Sequence, residues 1–90
     1  MLWMVVERFR NGDAVPVYRR FRDRGRMAPE GLRYVDSWVT ADLTTCYQLM
    51  EGDDPALLEA WMANWRDVAD FEVFAVMASA QAAEAVRPKL

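Results

Sequence analysis

Short stretches of alternating side-chain character constrain the fold of this chain more than any other feature. In an extended strand, Leu2 and Met4 share one face, whereas Trp3 and Glu7 point to the other. The same contrast recurs at residues 34–39. A sheet needs only one face to pack against helices, and here the other face mixes aromatic groups with acids and amides. We therefore expect a second subunit, a small ligand, or both to cover that face.

The helix and strand signals predict an α+β chain. Strands are predicted at residues 2–9, 32–39, 43–51 and 71–77, and helices from Pro16 to about Met27, from Pro55 through Val68, and from Ser79 to Pro88. Pro16 and Pro55 stand in first turns, where proline loses no helical hydrogen bond, and Ser79 is the expected cap of the last helix. This order fits one ferredoxin-like βαββαβ sandwich over residues 1–90 with a C-terminal helix. Right-handed crossovers place the first and third strands at the centre of the sheet.

The two main helices are expected to cover the more aliphatic face of the sheet. That face carries Leu2, Met4, Val6, Val35, Val39, Leu49, Val73 and Ala75. The uncovered face then carries Trp3, Val5, Glu7, Phe9, Tyr34, Asp36, Trp38, Cys46, Gln48, Glu72, Phe74 and Val76.

Seven polar and aromatic side chains of the uncovered face form the candidate ligand site. They are Trp3, Glu7, Tyr34, Asp36, Trp38, Gln48 and Glu72. Acids that share a desolvated site repel one another, which raises at least one carboxyl pKa and makes Glu7, Asp36 or Glu72 a candidate general base. The alternative is that these acids pair with arginines across a dimer interface or lie in water at the sheet edges.

The composition removes several kinds of chemistry. The chain has no histidine, which is the commonest general base and transition-metal ligand, so we expect neither a metal nor another cofactor. Cys46 is the single cysteine; it lacks a basic neighbour that would favour a thiolate, and we assign it to packing. A lone cysteine fits a reducing cytoplasm, and no apolar run approaches the ~20 residues of a membrane span.

Positive charge is concentrated in the first half of the chain. Residues 1–40 have a net charge of +3 and residues 41–90 a net charge of −6. Arg19, Arg22 and Arg26 have the spacing of one helix flank, and such a ridge either binds phosphate or nucleic acid or is solvated and forms salt bridges. The acidic total and the single lysine favour the second reading, so no nucleic-acid partner is expected.

Three segments resemble a family of short bacterial proteins catalogued as a domain of unknown function. They read MLWMVVERFRNGD, RFRDRGRMAPEGLRYVDSWV and CYQLMEGDDPALLEAWMANW, and the resemblance extends over nearly the whole chain. It implies no particular activity. It does imply kinship with dimeric α/β-barrel proteins, in which two ferredoxin-like sheets face each other around a cavity. That group includes cofactor-independent monooxygenases, isomerases, haem-degrading enzymes and stress proteins without known catalysis.

Two functions of different class follow from these observations. The first is a homodimeric α/β-barrel module that binds a small organic ligand between its sheets without catalysis. The second is a cofactor-independent monooxygenase or isomerase for a flat substrate, with Glu7 or Asp36 as base and with Trp38 and Tyr34 shaping the pocket. The first is favoured because a base without a positioned partner or an oxyanion donor makes an incomplete mechanism.

Overall fold

Four antiparallel strands form one sheet in the order β2-β3-β1-β4 in the computed structural model, which describes residues 1–90. The elements are β1 (Leu2–Phe9), α1 (Val15–Arg24), β2 (Arg33–Val39), β3 (Thr45–Glu51), α2 (Pro55–Ala63), β4 (Ala69–Val76) and α3 (Ser79–Val86), with 3-10 turns at Arg10–Gly12 and Arg87–Lys89. Strands β1 and β3 are central. This confirms the predicted α+β, ferredoxin-like topology.

Helix α1 is shorter than predicted. Asp13 accepts a hydrogen bond from the backbone N–H of Val15 at 3.0 Å, and Pro16 occupies the first turn. The helix ends at Arg24 rather than near Met27, because Gly25 and Met27 adopt positive φ angles of 69° and 62°. Residues 25–32 therefore form a loop, which we call the 25–32 loop, between α1 and β2.

Helix α2 begins as predicted and ends earlier. Asp54 accepts a hydrogen bond from the backbone N–H of Ala56 at 2.9 Å, and Pro55 follows this cap. The helix ends at Ala63, and residues 64–68 continue as turns before β4. Trp65 in those turns is still buried in the core, so the apolar stripe continues although the helix does not.

Helix α3 lies almost entirely in solvent. Every residue of it is exposed except the half-buried Ala82. Its cap is Ala78, whose N–H donates to the side chain of Gln81 at 3.2 Å, so the prediction of Ser79 as the cap is wrong. Gln81 is the third residue after this cap, and its side-chain oxygen satisfies the backbone N–H of Ala78. None of the helices is both long and apolar enough to cross a membrane.

The helices cover the opposite face of β1 and β3 from the one predicted. Cross-strand partners share a face, and Trp3 lies opposite Met50, whereas Glu7 lies opposite Cys46. These positions belong to or adjoin the core beneath the helices. The buried core consists of Val5, Phe9, Val17, Leu32, Cys46, Met50, Leu58, Trp61, Met62, Trp65 and Ala69. The predicted placement of Trp3, Glu7 and Gln48 on the uncovered side is therefore wrong.

The other side of the sheet, which we call the open face, is mostly apolar at its centre and has Arg8, Arg33, Glu51 and Asp70 towards the strand ends. It carries Leu2, Met4, Val6, Asp36, Trp38, Tyr47, Leu49, Glu72, Phe74 and Val76. Strand β1 is apolar on both faces, so alternation alone could not orient it, and the larger indole and phenyl rings fill the space under the helices. Asp36, Trp38 and Glu72 lie on the predicted side.

Strand β2 contains a β-bulge that separates two candidate site residues. Tyr34 pairs with Met50, whereas Asp36 pairs with Leu49, so Val35 is an extra residue. The bulge turns Tyr34 towards the helices and leaves Asp36 on the open face. The prediction that Tyr34 and Asp36 share a face is wrong for this reason.

Candidate functional site

A cavity of about 160 Å³ lies between the sheet and the helices. Most of its wall is apolar and aromatic, and α1 contributes Tyr18 and Phe21 while α2 and the turns after it contribute Trp61 and Trp65. A cavity of about 150 Å³ holds one benzene molecule, so this space fits a single ring. The polar part of the wall consists of Glu7, Arg26, Ser37, Cys46 and Gln48.

Glu7 is a buried acid in the wall of this cavity. Its residue surface is 9% exposed, and Nε2 of Gln48 donates a hydrogen bond to its carboxylate at 3.2 Å. Burial raises the pKa of Glu7 to about 7, against the opposing effect of the Arg26 charge. Both protonation states of Glu7 are therefore populated near neutral pH, which is the property of an efficient general acid or base.

Gln48 connects Glu7 to Arg26. Nη1 of Arg26 donates to Oε1 of Gln48, and the amide nitrogen of Gln48 donates to Glu7. The two bonds fix the orientation of the Gln48 amide, because only its oxygen can accept from the guanidinium. With only 3% of its surface exposed, Gln48 is held as a rigid bridge between the cation and the acid.

Arg26 is held against two aromatic rings. Its guanidinium carbon lies 3.6 Å from the ring centroid of Tyr34 and 5.1 Å from that of Phe21. A guanidinium at such distances is attracted to the ring faces. The bulge in β2 matters here because it directs Tyr34 to this side of the sheet. Arg26 is thus positioned at the cavity although it belongs to no helix or strand.

Two indole groups fix the backbone of Arg26. Its carbonyl oxygen accepts hydrogen bonds from Nε1 of Trp61 at 2.9 Å and from Nε1 of Trp65 at 3.2 Å. Buried indole N–H groups require partners, and here both find the same oxygen. The 25–32 loop is therefore attached to α2 and the turns that follow it at the residue whose side chain reaches Gln48.

Cys46 and Tyr18 face the cavity as neutral groups at ordinary pH. Burial, together with the nearby Glu7, raises the pKa of Cys46 to about 12, so it is a thiol and not a nucleophilic thiolate. Burial, followed by the charges of Cys46 and Glu7, raises the pKa of Tyr18 above its ordinary value. Glu7 is therefore the group of this site that titrates near neutral pH.

The structure brings three of the seven candidate site residues together. Glu7 and Gln48 line the cavity, and Tyr34 supports Arg26 beside it. Trp3 lies on the same side of the sheet but donates its indole N–H to the carbonyl of Gly52 at 3.0 Å, outside the cavity wall.

The remaining three candidates lie on the open face, away from Glu7. Asp36 accepts a hydrogen bond from the N–H of Ser37 at 2.8 Å, and Glu72 forms an ion pair with Arg8. The side chain of Trp38 is 54% exposed. The predicted cluster of three mutually repelling acids is therefore wrong, and ligand binding by these residues stays a prediction.

Sequence reasoning missed the role of Arg26. The predicted ridge of Arg19, Arg22 and Arg26 is wrong in its last member, because α1 ends before Arg26, and Arg22 instead pairs with its neighbour Asp23 at 2.8 Å. The glycine at position 25 is a sequence signal for a helix end, and in the structure its positive φ terminates α1 there. Trp61 and Trp65 were assigned to the core, where they do lie. Their hydrogen bonds to residue 26 could not be predicted from the helical spacing of the apolar residues.

The site has the groups for proton transfer and for holding a ring. Glu7 can accept or donate a proton, Arg26 can stabilise negative charge on an oxygen, and the aromatic wall can contact a planar molecule. Nowhere does the structure bring three histidine, cysteine or acidic side chains into a metal-binding group.

One family model matches the chain. It is described as Domain of unknown function (DUF3303), and the match spans residues 1–90. Neither the curated proteins nor the solved structures that were compared contain a match. The match confirms the resemblance that the three sequence segments indicated. The chain belongs to the DUF3303 family.

Proposed function

We propose that this protein binds a small organic molecule with one planar ring in the cavity, and that Glu7 exchanges a proton with that molecule. The observation that carries the proposal is the buried Glu7, with a pKa of about 7, in the wall of a ring-sized cavity. The ligand then lies between the sheet and the helices of one chain, and not between the sheets of two chains.

The direction of its pKa shift distinguishes Glu7 from an acid that forms a structural ion pair. Structural ion pairs lower a carboxyl pKa, as Arg20 does for Asp67. Burial raises that of Glu7, and no arginine contacts it directly, since Gln48 lies between Glu7 and Arg26. A buried acid with a raised pKa lowers the stability of the fold near neutral pH. Acids with such perturbed pKa values cluster at functional sites.

The arrangement also supports the catalytic alternative. A carboxylate can remove a proton from a carbon next to a carbonyl group, and the negative charge that develops on the carbonyl oxygen needs a donor. Glu7 and Arg26 stand on the same cavity wall in these two roles, with Gln48 fixing their separation. Proton removal of this type begins an isomerisation and also a cofactor-independent oxygenation, and an isomerase is the simpler reading because it needs no second substrate.

A cavity-filling variant tests the proposed site. Val39 lines the cavity, whereas Val35 on the same strand is outside it, so Val39→Phe and Val35→Phe are matched substitutions. We expect phenol, benzamide and cyclohexenone to shift backbone NMR signals around Glu7 in the native chain and in Val35→Phe, but not in Val39→Phe. Shifts confined to the open face, or equal binding by both variants, would contradict the proposal.

We further propose that a second copy of the chain covers the open face. Trp38, Tyr47 and Phe74 are exposed there, and contiguous apolar surface of this kind marks interaction sites. The rim carries both signs of charge, with the Arg8–Glu72 pair towards one end of the strands and the Arg33–Glu51 pair towards the other. A copy related by a two-fold axis would meet complementary groups.

The isolation of α3 supports the same partner. It has eight residues, and isolated helices shorter than ~12 residues are marginal in water. Its own chain gives it almost no packing surface, since only Ala82 is even half-buried. A second subunit would supply the missing contact.

Light scattering tests the dimer. We expect a species of twice the 10.4 kDa chain mass at micromolar concentration, reduced to the chain mass by Phe74→Glu on the open face. Val15→Glu on α1 is the control, because Val15 is 55% exposed and Phe74 is 50% exposed, yet Val15 lies away from that face. A native chain that scatters only as a monomer would overturn the proposal.

A further inference from the structure

The guanidinium of Arg26 makes no direct ion pair with a protein carboxylate. Only Arg20 and Arg26 are half-buried arginines, and the others are exposed. Arg20 forms an ion pair with Asp67 at 2.7 Å. Arg26 has no acidic oxygen within ion-pair distance, and its one side-chain hydrogen bond goes to the neutral amide of Gln48. A partly desolvated cation that has no directly bound counter-ion and lies at a cavity favours the binding of a negatively charged ligand.

The donor groups of Arg26 are arranged for such a ligand. A guanidinium has five N–H donors, and only Nη1 is used within the chain. No buried side-chain nitrogen or oxygen lacks a partner, so the remaining N–H groups of Arg26 are accessible. Tyr34 and Phe21 hold the guanidinium plane, and a held plane presents parallel N–H bonds that match the two oxygens of a carboxylate.

We propose that the ligand is a planar, singly charged organic anion, of the aromatic carboxylate class, whose oxygens pair with Arg26 while its ring fills the cavity and Glu7 is protonated. This inference rests on the proposed function, which supplies the site, and adds the charge of the ligand. The anion replaces the missing counter-ion of Arg26. A protonated Glu7 avoids repulsion and can donate its hydrogen to a ligand oxygen.

The neighbours of Glu7 make it the group that takes up the proton. Arg26 is the one charged side chain that faces it, from the 25–32 loop, and Cys46 on β3 and Tyr18 on α1 are neutral. The α2 side of the cavity contributes the uncharged Trp61 and Trp65. On β4 the residue opposite Glu7 is Phe71. Each anion bound is thus accompanied by uptake of up to one proton.

Benzoate is a suitable probe because it is ionised throughout the useful pH range. If only the protonated form of Glu7 binds it, the Kd rises about tenfold between pH 6 and pH 8, since the competent fraction falls by that factor for a pKa of about 7. Benzamide has the same ring without the charge, and its Kd should change little over this range. Glu7→Gln should bind benzoate with a Kd that is independent of pH.

Arg26→Gln and Arg24→Gln form a matched pair of variants. Arg24 is exposed in the last turn of α1, so its removal should leave the benzoate Kd unchanged. Arg26→Gln should raise that Kd at least tenfold without altering benzamide binding. Arg26→Lys keeps the charge without the fork of donors, and we expect an intermediate Kd. Near-UV circular dichroism checks that each variant retains the native tertiary structure. If Arg26→Gln does not fold, the benzoate Kd of Arg26→Lys tests the proposal in its place.

The outcomes separate the two proposals. If benzamide and benzoate bind equally well and Arg26→Gln changes neither, the cavity binds rings but the anion inference is wrong. A benzoate Kd that falls as the pH rises would also overturn it. If neither probe binds in the cavity, the proposed function fails together with this inference.

Discussion

Gln48 donates a hydrogen bond to Glu7 at 3.2 Å from the adjacent central strand. The acid therefore sits in a fixed position in the sheet, where burial raises its pKa and the charge of Arg26 opposes that rise. Because the same amide accepts a hydrogen bond from Arg26, movement of the 25–32 loop would change the surroundings of the acid directly.

Replacing Glu7 by Gln should remove a pH-dependent loss of stability. The pKa of Glu7 is about 7 in the folded chain against an ordinary value of 4.5, so the folded state holds the proton more tightly. This stabilisation is full below about pH 4.5 and is lost as the pH rises through 7. At 1.36 kcal/mol per pKa unit, the loss approaches about 3 kcal/mol. Urea unfolding of the native chain at pH 5 and pH 8 should show this decrease.

The Glu7→Gln variant should then be the more stable protein at pH 8 and show little change between the two pH values. Glu72→Gln is the control, because Glu72 is exposed on the open face and paired with Arg8. An equal pH dependence in the native chain and in Glu7→Gln would show that another group causes the decrease.

Trp61→Phe should destabilise the fold and loosen the site. Trp61 is 1% exposed, and the substitution removes both its hydrogen bond to Arg26 and part of its volume. The lost hydrogen bond and the cavity together should lower the free energy of unfolding by roughly 2–3 kcal/mol. Val15→Ala, at an exposed position of α1 away from the open face, should change it by less than ~0.5 kcal/mol. Urea unfolding with fluorescence detection measures both, and equal effects would contradict the role given to Trp61.

Arg20→Met should weaken the attachment of α1 to the turns after α2. Arg20 binds both carboxylate oxygens of Asp67 at 2.7 Å and the carbonyl of Asn64 at 2.7 Å. The bond to Arg20 lowers the pKa of Asp67 to about 2, so its stabilisation is present above the ordinary value of 3.8 and is lost as the pH falls through 2.

The Tm of Arg20→Met should therefore lie below that of the native chain at pH 7, with the difference shrinking towards pH 2. Arg22→Met is the control, because Arg22 pairs with the adjacent Asp23 within α1 and joins no two elements. A Tm decrease of the same size in both variants would argue against a specific tertiary contribution from Arg20.

Gly52→Ala should disturb the contact between two loops. A Cβ atom at Gly52 would lie 2.8 Å from the carbonyl oxygen of Gly31, which is closer than such atoms approach and involves backbone. Overpacking of this kind costs typically 1–3 kcal/mol. Gly12→Asn is the control, because its φ of 62° is tolerated by asparagine and a Cβ atom there would meet only Thr44 at 3.6 Å. Differential scanning calorimetry should show the larger Tm decrease for Gly52→Ala.

The sequence was sufficient for the order of the elements and for the central pair of strands. Pro16, Asp54 and Pro55 specify helix starts through local hydrogen bonding and backbone geometry, and the structure has helices there. Topology then follows from the right-handed crossover rule. These features depend on short-range chemistry, which is visible in a single chain.

The face of the central strands could not be predicted in the same way. Both sides of β1 are apolar, and Glu7 is bound by Gln48, 41 positions away, and influenced by the charge of Arg26, 19 positions away. Long-range polar contacts of this kind leave no periodic signal. Of the residues at the candidate cavity, Glu7, Gln48 and Tyr34 were named from the sequence, whereas Arg26 was assigned to a ridge on the first helix.

The extra residue in β2 places the side chains on its two sides on opposite faces of the sheet. On one side of Val35 the chain supplies an aromatic plate for Arg26, and on the other it supplies Asp36 and Trp38 to the outer surface. Removing Val35 would restore simple alternation and leave both neighbours in place, because Tyr34 would still pair with Met50 and Asp36 with Leu49. An in-frame loss of its codon would therefore straighten the strand and spare the aromatic ring beside Arg26.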